Sequence, residues 1–124
     1  MSFRTKTSKQ TMEIFKTFET RDHLQPFILA KLAISLSIRA GFRFDASKIP
    51  DSLGIDLNRQ TITGEFDSLF KALIELNEEK HLSDEQFFPT ILKSYLDNGA
   101  ILLDQEYKYS NDFFIHLVEL EKGI

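Results

Sequence analysis

Residues 26–40, PFILAKLAISLSIRA, decide the fold of this 124-residue chain. Apolar side chains occupy nearly every side of a helix drawn through this stretch, which is typical of a helix buried on several faces. Pro26 suits the first helical position, where its missing N–H costs nothing, and Gly41 suits the end of the helix. The stretch therefore predicts a central helix over 26–40, enclosed by a core or by neighbouring subunits.

The segment before this helix predicts a strand and a first helix. Thr5 alternates with Arg4 and Lys6, so the hydroxyl side and the basic side face opposite ways if the segment is extended. A strand this short needs a partner, and a second subunit is one source of it. Helix start signals at Thr7 and Ser8 then open a helix that continues to about residue 20.

The segment after residue 41 predicts further helices separated by an irregular stretch. Residues 42–64 contain Pro50, Gly54 and Gly64 and predict a packed loop or short strand. Helical spacing of apolar residues then favours helices over about 65–80, from 83 to Gly99, and over 112–122, with Pro89 as a kink or as the effective start of the second. We predict one mostly helical, all-α domain over 1–124, with a short N-terminal strand.

Charge is divided along the chain. Residues 1–43 hold eight Lys/Arg against three acids, a local net of +5, while residues 44–124 hold seven against sixteen, a net of −9. A basic end in an acidic protein indicates a polyanion partner. The absence of cysteine excludes disulfides and thiolate chemistry, no apolar stretch approaches membrane-spanning length, and we expect a cytoplasmic protein.

Catalytic motifs are absent from the sequence. It contains no phosphate-binding loop, dinucleotide fingerprint, nucleophile elbow or zinc-protease motif. The three histidines have no metal-ligand spacing, and Asp97, Asp104 and Glu106 are better interpreted as solvated acids than as a cation site. We therefore expect a binding protein that is not an enzyme and uses no metal or cofactor.

The basic strand–helix–helix unit over 1–43 has a physical use in nucleic-acid binding. Two such strands from a dimer form an antiparallel ribbon that fits the major groove, with Arg4 and Lys6 towards the bases. The start of the second helix, at Gln25, Pro26 and Phe27, would offer backbone N–H groups to a phosphate. The alternative is an exposed arm followed by two core helices.

Three stretches carry a resemblance to a known family. The first is Arg4-x-Lys6-x-Ser8-Lys9 with Leu24-x-Pro26 and Leu29-x-Lys31-x-Ala33-x-x-Leu36-Ser37. The second is Gly54-Ile55-Asp56-Leu57-Asn58-Arg59-Gln60-Thr61-Ile62-Thr63-Gly64-Glu65, continuing through Asp67-x-Leu69-Phe70-x-Ala72-Leu73. The third is Leu96-Asp97-Asn98-Gly99-Ala100-x-x-Leu103. With these stretches the chain resembles the DNA sulfur modification protein DndE family of bacterial DNA phosphorothioation, from about residue 3 to 103.

The resemblance implies a small helical protein with a ribbon-helix-helix-like N-terminal part that assembles as a homotetramer. It implies binding to duplex DNA, nicked duplex above all, through surface lysines, beside a cysteine desulfurase and ATP-using partners that install sulfur. Lys9, Lys16 and Lys31 match the basic positions. Together with the strand residues they give the predicted DNA-binding set: Arg4, Lys6, Lys9, Lys16 and Lys31. Tyr95 and Asn98 depart from the family pattern, and residues 107–124 form a divergent C-terminal end.

The second stretch has two interpretations. Asn58 and Arg59 either close a turn through side-chain hydrogen bonds or contact DNA directly. Gly64 supplies backbone freedom, Glu65 caps the next helix, and Arg59 forms a salt bridge with Glu65 or Asp67, within or between subunits. We favour the structural or assembly role for Asn58, Arg59, Gly64 and Glu65.

Other functions remain open at this point. A ribbon-helix-helix transcription regulator or antitoxin would bind a palindrome through Arg4 and Lys6. A protein-only adaptor in a modification complex would use the apolar helix and the acidic part of the chain. Weak nicking activity is disfavoured, because no cluster of acids, histidine or nucleophile has a useful spacing.

Overall fold

The computed structural model describes residues 4–108, which form a mostly helical domain, as predicted, with one small sheet. Its elements are β1 (Arg4–Lys6), α1 (Lys9–Asp22), α2 (Pro26–Arg39), β2 (Asp56–Asn58), α3 (Arg59–Ile62), α4 (Asp67–Glu78), α5 (Asp84–Gln86) and α6 (Lys93–Lys108). Short 3-10 turns cover Ala46–Lys48 and Gly64–Phe66. The helix predicted over 112–122 lies outside the described residues. Within 4–108, no helix combines the length and the apolarity that crossing a membrane requires.

Helix α1 begins where the sequence predicts and ends slightly later. The Ser8 hydroxyl accepts a hydrogen bond from the Thr11 N–H at 3.0 Å, which identifies Ser8 as the N-cap rather than Thr7. This bond satisfies one of the unpaired amides of the first turn. The buried side of the helix carries Ile14, Phe15 and Phe18.

The sheet pairs β1 with β2 of the same chain. The strands are antiparallel, with Arg4 opposite Asn58 and Thr5 opposite Leu57. Arg4 and Lys6 are exposed and Thr5 is half-buried, so the predicted alternation is confirmed. The strand does not need a second subunit for its partner, because β2, which follows the loop after α2, pairs with it.

The core is organised around an antiparallel crossing of α2 and α6. Ala33 lies against Gly99, and the Ser37 hydroxyl donates to the Tyr95 carbonyl at 2.6 Å. Asn98 donates to the Ser37 hydroxyl at 3.1 Å. The predicted central helix is confirmed, with Pro26 as its first residue and one face fully buried.

Gly99 does not end a helix, contrary to the prediction from sequence. Helix α6 continues through it to Lys108. A Cβ placed at Gly99 would lie 1.7 Å from the Ala33 carbonyl oxygen, so the glycine is needed for the close approach of two backbones. The predicted apolar piece after Gly99 is part of this same helix.

Pro89 is accommodated by a change of helix type. The chain enters through a capping box in which Ser83 and Gln86 bond each other's backbone N–H groups. It then passes through a π-helical stretch, Phe87–Leu92, before α6. Proline lacks the backbone N–H that the α-helix would use, and the wider π-helical turns let the helix continue past it.

Replacing Gly99 by alanine is expected to destabilise the domain. In an unobstructed helix the same change is favourable by about 0.5–1 kcal/mol. Here the added methyl meets the α2 backbone, and overpacking of this kind costs about 1–3 kcal/mol or more. Urea unfolding followed by circular dichroism measures the change in the free energy of unfolding.

Gln105→Ala on the exposed side of α6 is the matched control. It is expected to change the free energy of unfolding by no more than about 0.5 kcal/mol, as is usual for exposed positions. A Gly99→Ala protein as stable as the wild type would show that α2 and α6 do not depend on this contact.

Candidate nucleic-acid interface

The strand residues predicted to contact DNA lie at the surface beside an acidic neighbour. The Arg4 side chain forms an exposed salt bridge with Asp56, with 3.2 Å between Nε and Oδ2. Lys6 lies opposite Asp56 in the strand register and is also exposed. The acid on β2 therefore neutralises part of the positive charge on β1.

Lys9 and Lys16 lie together on the exposed face of α1. They are seven residues apart, about 10 Å along a helix axis, and both side chains are exposed. Neither amino group forms an ion pair with any part of the chain that the structure describes. Glu13 lies between them in sequence and is also exposed, so the face is mixed with a net positive charge.

Lys31 lies on a different surface from the other predicted DNA-binding residues. Its amino group donates to the carbonyls of Phe27 and Thr61, at 3.1 and 3.3 Å, and lies 5.4 Å from the Phe27 ring centroid. Burial lowers the pKa of Lys31, and the charge of Glu65 opposes that shift. The structure thus brings Lys9 and Lys16 together and places Lys31 in the groove between α2 and α3.

The Gly54–Glu65 stretch begins with a close backbone approach. A Cβ at Gly54 would lie 2.1 Å from the Ser8 carbonyl oxygen. The Gly54 N–H donates to the Thr7 carbonyl and the Ile55 N–H to the Thr7 hydroxyl, both at 2.9 Å. This glycine therefore joins β2 to the start of α1.

The next residues of the stretch form a tight helical turn. The Asn58 side chain caps α3 by accepting a hydrogen bond from the Thr61 N–H at 2.7 Å. Gly64 follows with a φ of +56°, a conformation that favours glycine. Glu65 is exposed in the first turn of the 3-10 segment and influences Lys31 electrostatically. Each of these contacts lies within one chain.

Arg59 is held by two carboxylates and an aromatic pair. Its Nε and Nη2 bond the two carboxylate oxygens of Asp67 at 2.8 and 2.7 Å, and Nη2 also contacts Asp84 at 3.2 Å. The guanidinium carbon lies 5.5 Å from the ring centroids of both Phe87 and Phe88. Of the two sequence-based alternatives for the salt bridge, the structure shows Asp67.

This arrangement shifts the ionisation of both partners. The hydrogen bond to Asp67 raises the pKa of Arg59, and that to Asp84 adds to the shift. Burial alone would raise the pKa of Asp67, but hydrogen bonds from Arg59 and Thr63 lower it overall. Lys71 also contacts Asp84, at 3.1 Å, so four charged side chains form one network. The contribution of Asp84 and Lys71 was not predicted, because the sequence gives no spacing signal for contacts between separate elements.

Asp97 is buried, which corrects its interpretation as a solvated acid. Its carboxylate and the Lys93 amino group form an ion pair at 2.6 Å, with side chains that are only 3% and 4% exposed. The other carboxylate oxygen accepts from the Ser8 N–H at 3.0 Å and the Thr11 hydroxyl at 2.7 Å. The i, i+4 spacing of Lys93 and Asp97 was the available signal. Across residues 4–108, no group of three or more potential metal ligands is found.

Asp67→Asn is expected to destabilise the domain at neutral pH. A partly buried hydrogen bond to a charged group contributes about 1.5–3 kcal/mol. Folding lowers the pKa of Asp67. The contribution of its carboxylate to the free energy of unfolding is therefore complete above the unfolded-state pKa of about 3.9, and it declines as the pH falls through the lower folded-state pKa. Urea unfolding between pH 7 and pH 3 should show that the difference in free energy of unfolding between wild type and Asp67→Asn becomes smaller only at the acid end of this range.

Asp104→Asn serves as the control, because it removes a carboxylate from a pair near the end of α6, with Lys108 at 3.0 Å. Such a surface pair contributes about 0–1 kcal/mol. Equal effects of the two substitutions at pH 7 would contradict a special role for the Arg59 network.

A family profile and solved structures match this chain. The sequence profile described as DNA sulphur modification protein DndE matches residues 4–111. The crystal structure of DndE from Escherichia coli B7A, involved in DNA phosphorothioation modification, matches with a TM-score of 0.65 and 20% identity, covering 83% of this chain and 96% of that one. A DndE mutant structure matches with a TM-score of 0.65 and 19% identity, covering 82% and 97%. No curated protein sequence matches. The chain belongs to the DndE family.

Proposed function

We propose that this protein is a non-enzymatic, DNA-binding subunit of a DNA phosphorothioation system. Its surface lysines bind the phosphate backbone of duplex DNA, nicked duplex included. The observation that carries the proposal is the pair Lys9 and Lys16, both exposed on α1 and neither in an ion pair within residues 4–108. Arg4 and Lys6 add charge beside the start of that helix.

The chemistry of the two lysines suits phosphate rather than base recognition. A lysine amino group is a point charge without the planar fork that reads a base edge. Their separation along α1, about 10 Å, is close to the width of the major groove, about 12 Å. Arg59, which has the fork, is already bonded to Asp67 and Asp84. Binding should therefore depend on salt and little on sequence.

The acids of the domain support a binding role over catalysis. A metal-dependent nuclease holds its cations through carboxylates that have free ligand positions. Asp67 and Asp84 instead bind Arg59, and Asp97 binds Lys93. These carboxylates are occupied by the chain's own cations and contribute to the structure of the domain.

The likeness to the Escherichia coli protein supports the cellular setting of the proposal. We infer that this chain acts in the cytoplasm with a cysteine desulfurase and ATP-using enzymes that install sulfur on DNA. Assembly as a homotetramer would present the Lys9–Lys16 face several times and raise avidity. Lys31 would add to the surrounding positive potential without touching DNA, since its amino group is occupied by two carbonyls.

Fluorescence anisotropy with intact and nicked duplex at rising salt tests this function. Wild-type affinity should fall steeply between low and physiological salt. The Lys9→Glu/Lys16→Glu variant should bind at least about tenfold more weakly, and its salt slope should be smaller by about 0.9 for each phosphate that it no longer neutralises. Failure of the wild type to bind either duplex at low salt would refute the proposal.

The Lys80→Glu/Lys108→Glu variant is the matched control. It changes the net charge equally at two other exposed lysines, Lys80 just after α4 and Lys108 on α6. It should retain most of the affinity. An equal reduction of affinity in both variants would mean that overall charge, and not the α1 face, determines binding.

A further inference from the structure

A highly exposed leucine lies beside the start of the helix that carries Lys9 and Lys16. Leu53 is 71% exposed, and it follows Asp51 and Ser52, which are exposed as well. Single exposed apolar side chains are common on protein surfaces, so exposure alone assigns no role to this leucine. The way in which its backbone is held distinguishes it.

The backbone of Leu53 is fixed against the first residue of α1. The Leu53 N–H and the Lys9 N–H donate to the same carboxylate oxygen, Oδ1 of Asp51, at 3.0 and 2.9 Å. Because both amides bond one acceptor, their nitrogens lie no more than about 6 Å apart. The Lys93 amino group donates to the Asp51 carbonyl at 2.7 Å, which joins the same turn to α6.

The following residue fixes the other side of Leu53. The Gly54 N–H donates to the Thr7 carbonyl at 2.9 Å, and the lack of a side chain at Gly54 lets its backbone approach that of Ser8. Leu53 is thus held on both sides and cannot turn towards the core unless these bonds break. An apolar side chain on a fixed backbone loses little conformational entropy when it binds a partner.

The charged groups around Leu53 favour a polyanion on its outer side. Lys9 lies next to it, and Lys16 lies about 10 Å further along α1. Asp51 is the nearest acid, and hydrogen bonds from the Lys9 and Leu53 N–H groups lower its pKa. The positive charge of the buried Lys93 lowers the pKa of Asp51 further and offsets its negative charge. An exposed apolar group and two exposed lysines therefore share one surface.

This combination has a known use in DNA binding. Leucine is one of the apolar side chains that insert between neighbouring base pairs, while cations hold the flanking phosphates. Insertion requires a base step to unstack, and the free energy of unstacking is smallest where the stack is already interrupted. An inserted leucine would therefore favour interrupted over intact duplex without reading the base sequence.

We propose that Leu53 is a wedge that inserts at interruptions of the DNA base stack, while Lys9 and Lys16 hold the phosphates beside it. The inference rests on the proposed DNA-binding function and deepens it, because it names the residue that distinguishes interrupted from intact duplex. The lysines provide affinity for any duplex, and Leu53 provides the preference among duplexes.

Fluorescence anisotropy with intact and nicked duplex of one sequence, at one salt concentration, tests the wedge. The wild type should bind the nicked duplex more tightly. Leu53→Ala should reduce the ratio of the two affinities by about tenfold, as expected when one leucine side chain loses its apolar contact. Its affinity for intact duplex should stay nearly unchanged. Leu53→Met should retain the ratio, because methionine is apolar and of similar volume.

Leu76→Ala is the matched control, since Leu76 is 75% exposed and lies on α4, which carries neither Lys9 nor Lys16. It should leave both affinities unchanged. Because Leu53 is exposed, Leu53→Ala should unfold at the same urea midpoint as the wild type, so a lost preference reports the contact with DNA.

A base-stacking probe gives an independent measurement. The fluorescence of 2-aminopurine rises when the base unstacks, so the probe is placed next to the nick. Saturating wild-type protein should raise this fluorescence several-fold. Leu53→Ala, also at saturation, should give a much smaller rise, and Leu53→Met should give the wild-type signal.

The outcomes separate the wedge from the DNA-binding function on which it rests. A Leu53→Ala protein that keeps the preference for nicked duplex and the full 2-aminopurine signal would overturn the wedge and leave phosphate binding by the lysines in place. An equal reduction of affinity for both duplexes would also overturn it, as would wild-type binding without a preference. Failure of the wild type to bind either duplex at low salt would refute the DNA-binding function itself, and the wedge with it.

Discussion

The contact between Gly99 and the Ala33 backbone determines where the other elements lie. At Gly99 no side chain separates α6 from the backbone of α2. With α6 this close to α2, both ends of α6 reach α1. Near its start, Asp97 bonds the Ser8 N–H and the Thr11 hydroxyl. At its end, Tyr107 packs on Phe18 and Arg21. The helix that carries the exposed lysines is therefore fixed at two points along one partner.

The buried Lys93–Asp97 pair adds specificity to this arrangement. Burying two charges costs several kcal/mol per ion unless each is fully paired. Here the carboxylate has three donors and Lys93 also donates to the Asp51 carbonyl at 2.7 Å. Any other register of α6 against α1 would leave these groups without partners in the interior. The pair thus favours a single register more than it adds stability.

Local sequence patterns predicted the helices. The features that they did not predict depend on contacts between residues far apart in the sequence. Pro26, the Ser83 capping box and the apolar stripe of α2 act within a few residues, so the sequence shows them. The pairing of β1 with β2 joins residues about fifty positions apart, and no short-range pattern carries that information. Gly99 was misread for the same reason: a glycine that ends a helix and one that admits a neighbouring backbone look identical in sequence. For the candidate site, the exposure of Lys9 and Lys16 follows from helical periodicity, whereas the partial burial of Lys31 depends on its contact with Thr61 of α3.

The division of charge in the sequence overstates the charge available to a polyanion. Arg4 pairs with Asp56 and Arg43 with Glu79, so acids from the second part of the chain neutralise cations from the first. Lys31 donates to two carbonyls in the groove. Part of the asymmetry is therefore neutralised within the domain. The basic surface of one chain is then small. Each phosphate contact adds only a modest, salt-dependent increment to the affinity for DNA. Firm DNA binding would therefore require several copies of the α1 face acting together.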